Sequence, residues 1–318
     1  MKTFVRACEV WVPSKSRTQL EYYGGLYPEA GNIALRQFRA ASERMVFGYD
    51  EGLPGHAWAV RGPVVLKDLQ HSYFKRSRQA KAAGLTCGIA LPIFAGDYLL
   101  AVIVIYCGDD QEHFGAIEVW HAAPGADLVL ADGYYGTALE FEAASRERSF
   151  KPGVGLPGTV WQSGMPEVMS ELWFEKRFVR RHDGAPLGLS RGLALPMFLD
   201  DGHSFVMTFL SALGSPLARR FEIWTFDETP GAHEALVFAG GDCDLNKAFP
   251  QDYVSARIAH GEGPLGRVWA SGLPEANADI AHDASVNGRS ARKAGLTSLL
   301  ALPVLAAGRL KAVVGLYF

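Results

Sequence analysis

The sequence is poor in the features that mark several common protein classes. It holds four cysteines in 318 residues and no C-x-x-C spacing, which argues against a disulfide framework or a thiolate metal site. Its net charge is −3, so it lacks the basic excess of a dedicated nucleic-acid or polybasic membrane binder. The longest apolar runs, such as residues 99–106, are only as long as a strand, and no secretory signal is recognisable. We therefore expect a cytoplasmic protein that binds neither nucleic acid nor a membrane.

Internal repetition is the main positive feature. Three motifs recur in one order: Glu, then Val or Ile, then Trp; a Gly/Pro-rich segment leading to a Trp and a Gly-x-Pro, shortened to Gly62-Pro63 in the first copy; and Ala-Leu-Pro opening an apolar run. The copies are Glu9-Val10-Trp11, Glu118-Val119-Trp120 and Glu222-Ile223-Trp224; Gly52-Leu53-Pro54-Gly55, Gly155-Leu156-Pro157-Gly158 and Gly263-Pro264-Leu265-Gly266; and Ala90-Leu91-Pro92, Ala194-Leu195-Pro196 and Ala301-Leu302-Pro303.

The period of the repeat predicts domains rather than solenoid units. The tryptophans that follow the second motif, Trp58, Trp161 and Trp269, stand 103 and 108 residues apart, which is enough for each copy to build its own core. The sequence thus predicts three tandem domains, at residues 1–108, 109–213 and 214–318. The linkers, residues 108–116 and 214–220, are short, and Ser215-Pro216 predicts a short helix in the second.

The pattern within the first copy predicts an α+β domain. Residues 5–12, 20–23 and 64–66 read as strands, and residues 87–94 and 99–106 as a hairpin. The Gly-Leu-Pro-Gly segment predicts a turn before one helical turn at residues 56–60, and residues 73–83 have helical spacing after a cap at Asp68 or Ser72. The proline at residue 92 predicts a strand edge or a bulge. The expected architecture is an antiparallel sheet with flanking helices.

This order of motifs resembles the GAF domain, a small-molecule sensing fold. The likeness rests on the Gly-Leu-Pro-Gly-x-x-Trp segment, on a strand leading to an Asp such as Asp68 or Asp279, on a helix ending in Ala-Gly-Leu, and on the Leu-Pro hairpin. It extends over all three copies, and it implies a tandem-repeat sensor in signal transduction without naming the ligand. Segments 9–11, 52–55 and 191–198 are also similar to the GAF-like region of plant nitrate-responsive NIN-like proteins, which suggests small anions as ligands.

Copies one and three share a set of candidate ligand-binding residues. Asp68, His71 and Arg78 match Asp279, His282 and Arg289, and an imidazole with a guanidinium suits an anion. We add Trp58 and Trp269 to this set. The alternative is a solvated basic helix capped by the Asp, with the tryptophans in core packing. The spacing of histidines and carboxylates predicts no metal site, and no cofactor is identified.

Three functions remain open at this point. The first is a non-catalytic sensory or regulatory protein that binds a small ligand and signals by docking to a partner protein. The second is a thiol enzyme resembling free methionine sulfoxide reductases, with Cys87 and Cys107 on adjacent strands of copy one. The third is a ligand-free scaffold whose pockets are filled by its own side chains. The first is preferred, because no catalytic group recurs among the copies: Cys87 is replaced by Arg191 and Ser298.

Overall fold

The computed structural model describes residues 4–27, 32–108, 114–227 and 234–318, which form three antiparallel sheets with flanking helices. Each sheet takes its strands from one sequence copy, and we call these parts of the chain units one, two and three in chain order. The fold class is the α+β class that the sequence predicts. Within the described residues, no helix combines the length and the apolar character that crossing a membrane would need.

Unit one has a six-stranded sheet with the order β3-β2-β1-β6-β5-β4 and three helices. The strands are β1 (Val5–Pro13), β2 (Gln19–Leu26), β3 (Val46–Gly48), β4 (Val64–Leu66), β5 (Cys87–Ala95) and β6 (Tyr98–Cys107). The helices are α1 (Ile33–Ser42), α2 (Gly52–Val60) and α3 (Ser77–Ala82). All five strand segments predicted for this copy lie within observed strands and are confirmed.

Units two and three repeat this plan with changes in the helices. The sheet orders are β10-β11-β12-β7-β8-β9 and β14-β13-β17-β16-β15. The elements of unit two are β7 (Gly115–Ala122), β8 (Leu128–Tyr134), α4 (Leu139–Arg146), β9 (Ser149–Phe150), α5 (Gly155–Ser163), β10 (Glu167–Ser170), α6 (Arg181–Gly184), the 3₁₀ turn Ala185–Leu187, β11 (Leu189–Phe198) and β12 (Ser204–Ala212). Those of unit three are β13 (Arg220–Phe226), β14 (Leu236–Cys243), the 3₁₀ turn Phe249–Tyr253, α7 (Gly263–Ser271), β15 (Glu275–Asn277), the 3₁₀ turn Ile280–His282, α8 (Val286–Lys293), β16 (Leu299–Ala306) and β17 (Arg309–Tyr317).

The Gly/Pro-rich motif is the first turn of a helix, where the sequence predicted a separate turn. Helices α2, α5 and α7 begin at Gly52, Gly155 and Gly263, which have φ values of 57°, 65° and 59°. Proline is tolerated in the first turn because the N–H groups there have no partner within the helix. The last glycine of the motif is required by close approach. A Cβ atom on Gly55 would overlap the carbonyl oxygen of Gly48, and Gly158 and Gly266 face the same constraint.

Three further local predictions differ from the structure. The helix predicted at residues 73–83 is only α3, and the chain before it forms a turn in which Asp68 Oδ1 accepts the backbone N–H groups of Gln70 and His71 at 2.8 and 3.0 Å. Helix α1, capped by Asn32, was not predicted. The helix predicted at Ser215 is absent, because the Ser215 hydroxyl binds the backbone N–H and C=O of Phe114 instead. Most of the first predicted linker, residues 109–113, lies outside the described residues.

The three units close into a ring. The short outer strand of each unit lies against the second strand of the next unit: β4 contacts β8, β10 contacts β14, and β15 contacts β2. Strands β5, β11 and β16 meet at the centre, where β16 contacts the other two. The equivalent elements therefore surround a pseudo-threefold axis.

Strand alternation divides each sheet between the ring centre and the helices. On β6, Ile103 and Ile105 face a central core to which all three units contribute, whereas Val102, Val104 and Tyr106 face the helices of unit one. Successive side chains on a strand point to opposite faces, so a strand buried on both sides reads as a continuous apolar run. The runs around the Ala-Leu-Pro motif have this double burial, and each unit adds its own core beneath its helices.

Candidate functional site

The glutamate of each Glu-x-Trp motif is fully buried on the helix face of its sheet. Glu9, Glu118 and Glu222 have no exposed surface. The pairing with the second strand shifts register between Val10 and Trp11, and at the equivalent points of units two and three. Beside this bulge the indole N–H of the motif tryptophan donates to the carboxylate two residues earlier, at 3.1, 3.0 and 2.9 Å in the three units. The repeated motif thus builds a buried carboxylate.

In unit one this carboxylate accepts hydrogen bonds from every side. The Arg76 guanidinium donates to both oxygens of Glu9, at 2.7 and 3.0 Å. Three hydroxyl groups complete the set: Ser42 at 2.6 Å, Tyr27 at 2.8 Å and Tyr106 at 2.9 Å. Arg76 is itself only 2% exposed, so the charge pair is excluded from water.

Unit two has the same arrangement, except that Thr208 of β12 donates where unit one uses Tyr106 of β6. Arg180 donates to Glu118 through both terminal nitrogens, one of them at 2.8 Å. Thr208 donates at 2.6 Å and Tyr135 at 3.0 Å, and Ser145 completes the set at 3.3 Å. Arg76 and Arg180 come from equivalent places, just before the segments that carry α3 and α6.

Unit three keeps the pair but takes its arginine from another element. Arg220 lies on β13, two residues before Glu222, and donates to it at 3.2 Å. Asn287 stands 18 residues after Trp269, as Arg76 stands 18 after Trp58, and it donates its amide to Glu222 at 3.1 Å. Tyr253 and Tyr317 each donate at 2.7 Å. The cation therefore comes from the strand in unit three and from the helix side in units one and two, whereas the carboxylate has the same position in all three units.

The charges hold each other in their ionised forms. Burial alone would raise the pKa of Glu9, but the charge and hydrogen bonds of Arg76 and the hydroxyl donors lower it below its ordinary value. The pKa of Glu118 is lowered for the same reason, with Arg180 as its cation. A carboxylate that already accepts this many hydrogen bonds in a buried site is a poor general base. Its chemistry is that of a bound anion.

The predicted ligand-binding residues of units one and three lie elsewhere, on the surface. The side chains of His71 and His282 are each 84% exposed. His71 Nδ1 lies 3.0 Å from Asp68, and His282 Nδ1 lies 2.5 Å from Asp279. The two units thus repeat the same exposed Asp–His pair.

The remaining predicted residues do not join these pairs in one enclosed pocket. Arg78 and Arg289 are exposed, and Arg289 donates to the carbonyl oxygen of Ala284. Trp58 and Trp269 are half-buried; Trp58 packs edge-on against Tyr49, and Trp269 packs against Phe226 and His260. A ligand-binding role for all eight residues stays a prediction.

All four cysteines are buried. Cys87 and Cys107 are direct partners across β5 and β6, which confirms their predicted proximity. Burial raises the pKa of Cys107 well above its ordinary value, and burial also raises the pKa of Cys8. Among the described residues no three His, Cys, Asp or Glu side chains stand close enough together to hold a metal ion.

Sequence reasoning found the Glu-x-Trp repeat but assigned it no role. The available signal was a carboxylate inside an otherwise apolar strand, repeated three times, which requires a buried cation. The arginine does not stand at the same place in every copy, because Arg220 replaces the helix-side arginine in unit three.

Comparison with known proteins identifies a GAF domain in the last third of the chain. The model of the GAF domain family matches residues 209–318, so this part has a ligand-binding regulatory fold. No curated protein matches the sequence.

Solved structures resemble about a third of the chain. They include the NreA protein of Staphylococcus aureus mutated in its nitrate-binding site, with 15% identity, 31% of this chain and 73% of that chain covered, and a TM-score of 0.26. The free methionine-R-sulfoxide reductase of Neisseria meningitidis with its substrate has 16% identity, 32% and 52% coverage, and a TM-score of 0.24. The GAF domain of a phosphoenolpyruvate-protein phosphotransferase of Coxiella burnetii has 17% identity, 32% and 56% coverage, and a TM-score of 0.26.

We predict that the buried glutamate–arginine pairs make the protein less stable in acid. The pKa of Glu9 lies below its ordinary value of 4.5, so the unfolded chain takes up the proton first as the pH falls. The stabilisation that ionised Glu9 contributes is complete above about pH 4.5, and it is lost as the pH falls through the pKa that Glu9 has in the folded protein. Glu9→Gln should lower the free energy of unfolding at neutral pH by about 3–5 kcal/mol, because Arg76 is left unpaired. Urea titrations across this range measure both effects.

Two variants serve as controls for this prediction. Glu43→Gln removes an exposed pair with Arg39 and should change the free energy of unfolding by less than about 1 kcal/mol. Adding Arg76→Met to Glu9→Gln should recover part of the loss, because the unpaired charge is gone. Equal stability of Glu9→Gln and the native protein at neutral pH would contradict the assigned pairing.

Proposed function

We propose that the chain is a non-catalytic regulatory protein of three tandem GAF domains, at residues 1–108, 109–213 and 214–318, that acts by docking to a partner protein. The observation that carries this proposal is the buried carboxylate. In each unit the side chains that would suit a small anion, an arginine with indole and hydroxyl donors, already bind a glutamate of the same chain. A cytoplasmic location follows as part of the same proposal.

The buried glutamates argue against a small anion as a ligand in the interior of each unit. A free anion in the interior would have to displace Glu9 or its equivalents, and the displaced carboxylate would then be buried without a partner. That costs several kcal/mol per group, which a small anion cannot recover. The interior therefore serves stability, and recognition falls to other surfaces.

Removing one glutamate should convert the filled interior into an anion site. Glu118→Ala leaves Arg180, the Trp120 indole N–H and the Thr208 hydroxyl facing an empty space. Acetate and nitrate should raise the melting temperature of this variant in a saturable way, because either anion replaces the missing carboxylate. The native protein should show no such effect. Thermal unfolding in acetate, nitrate and chloride of equal ionic strength makes the comparison.

Glu118→Gln is the matched control, since it keeps the volume and should show no rescue. If Glu118→Ala is too unstable to purify, Glu9→Ala offers the same test in unit one. Saturable stabilisation of the native protein by nitrate or acetate would overturn the claim that the interiors are filled.

The burial of the thiols argues against catalysis by the reductase mechanism. A reductase needs an accessible thiolate and a resolving thiol, whereas Cys87 and Cys107 are fully buried and burial raises the pKa of Cys107. Assayed with free methionine sulfoxide and a thiol reductant, the native protein and Cys87→Ser should both show only background turnover. Native turnover that Cys87→Ser abolishes would establish the reductase alternative.

Unit one offers a basic helical surface suited to an acidic partner. Residues 33–44 and 77–82 include five basic residues, Arg36, Arg39, Arg44, Arg78 and Lys81, and one acidic residue, Glu43. All five are exposed, and Glu43 already binds Arg39. A groove of about 470 Å³ between α1 and α3 is lined by Arg44 and Arg78 and by small side chains such as Ala40 and Ala82. Because the whole chain carries −3, this surface is locally opposite in sign to the rest.

The docking surface can be tested with a labelled peptide. A helix-forming peptide rich in Glu, Ala and Leu should bind the native protein by fluorescence anisotropy, more weakly as salt is added. Arg44→Glu with Arg78→Glu should weaken binding by about tenfold or more. Lys151→Glu with Lys176→Glu changes the net charge equally on the exposed surface of unit two and should have little effect. If a DNA duplex displaces the peptide, the partner of this surface is a nucleic acid and the proposal of a protein partner is wrong.

A further inference from the structure

An apolar cavity lies on the pseudo-threefold axis, where the three Ala-Leu-Pro segments meet. Its volume is about 50 Å³, and residues of β5, β11 and β16 line it from all three units. The side chains that line it include Leu91, Leu195 and Leu302, which belong to the shared central core. Met207 of β12 also contributes to the wall. The cavity therefore belongs to no single unit and exists only in the assembled ring.

The repeated proline explains why the strands leave a gap there. In each unit the short outer strand pairs as far as the alanine of the motif, at Ala90, Ala194 and Ala301. The proline follows two residues later, on a strand edge with no neighbour in its own sheet. A proline has no N–H to offer, so the three edges cannot pair with each other across the axis. The strand-edge prediction is confirmed, and β5 and β16 also bulge just beyond the proline.

The residue that follows each proline determines how far the gap is filled. Ile93, Met197 and Val304 occupy equivalent positions around the axis and line the cavity. Val304 is the smallest of the three, so the side of unit three is the least filled. The side chains that line the cavity are all apolar and offer no hydrogen-bond partner, so the site favours apolar groups.

We propose that this axial cavity is a binding site for a small apolar molecule or for the short aliphatic end of a larger one. Apolar cavities of about 150 Å³ hold benzene, so a cavity of this size takes a few carbon atoms at most. An occupant contacts all three units, and its binding free energy therefore favours the closed ring. The site is separate from the filled interiors and from the helical surface of unit one, and its test is independent of the docking proposal.

Xenon is the first probe, because it binds apolar cavities without hydrogen bonds. Methyl NMR of the full chain under xenon pressure should show saturable shifts of one site, at Leu91, Leu195 and Leu302 together. Shifts that do not saturate, or that are confined to one unit, would overturn the proposal. Crystals pressurised with xenon give a second reading that depends on no variant.

Val304→Ile tests the location by supplying the residue that unit one carries. It should abolish saturable xenon binding without destabilising the protein, because the added methyl group fills existing space. Val314→Ile is the matched control on the neighbouring strand; it lies in the same core but does not line the cavity, so it should overpack and keep xenon binding. Equal xenon binding by native protein and Val304→Ile would refute the site.

A branched alcohol separates the two sources of the apolar group. If 3-methyl-1-butanol produces the same methyl shifts as xenon, and Val304→Ile abolishes both, the site accepts the aliphatic end of a molecule whose polar part stays in solvent. Binding of xenon alone assigns a small unfunctionalised molecule. Binding of neither overturns the proposal.

Discussion

The buried carboxylate–guanidinium pair is the constraint on which each unit depends. An ionised glutamate on the inner face of a sheet is stable only if a cation and several donors surround it. In unit one these come from the strands, from α1 and from the segment just before α3. Satisfying Glu9 therefore fixes the positions of Ser42, Tyr106 and Arg76 at the same time. A polar cluster of this kind specifies one arrangement of sheet and helices, where apolar packing alone would tolerate several.

The opposite face of each sheet has a different task. It is apolar and packs at the ring centre, so the three sheets form one shared core instead of three exposed faces. The polar contacts between units are asymmetric. Arg191 lies buried between units two and three, where it donates to the carbonyl oxygens of Ala218 and Arg219 and approaches Asp242. The equivalent residues Cys87 and Ser298 are small. Between units one and two, by contrast, the more exposed Lys67 lies 3.0 Å from Asp132 and from Glu142.

The strands could be predicted from local sequence patterns. The site could not, because its residues lie far apart in the sequence. Residues 87–94 and 99–106 were found because doubly buried strands read as apolar runs between Gly signals. The start of α2 was missed because Gly and Pro break most helices yet fit a first turn. The pairing of Glu9 with Arg76 spans 67 residues, and no local rule connects them. His71 and His282 drew attention through their matching positions, but a match between copies does not distinguish an exposed turn from a pocket.

The relocated arginine of unit three changes what happens when a helix detaches. In unit one the guanidinium that binds Glu9 belongs to Arg76, just before α3, so releasing that segment takes the counter-charge away from a buried carboxylate. In unit three Arg220 and Glu222 share β13, and α8 contributes Asn287 and Ser290 as neutral partners. Opening of α8 therefore leaves the ion pair intact on the sheet. The electrostatic cost of local unfolding is lower in unit three, which makes its helical layer the part of the ring that can open by itself.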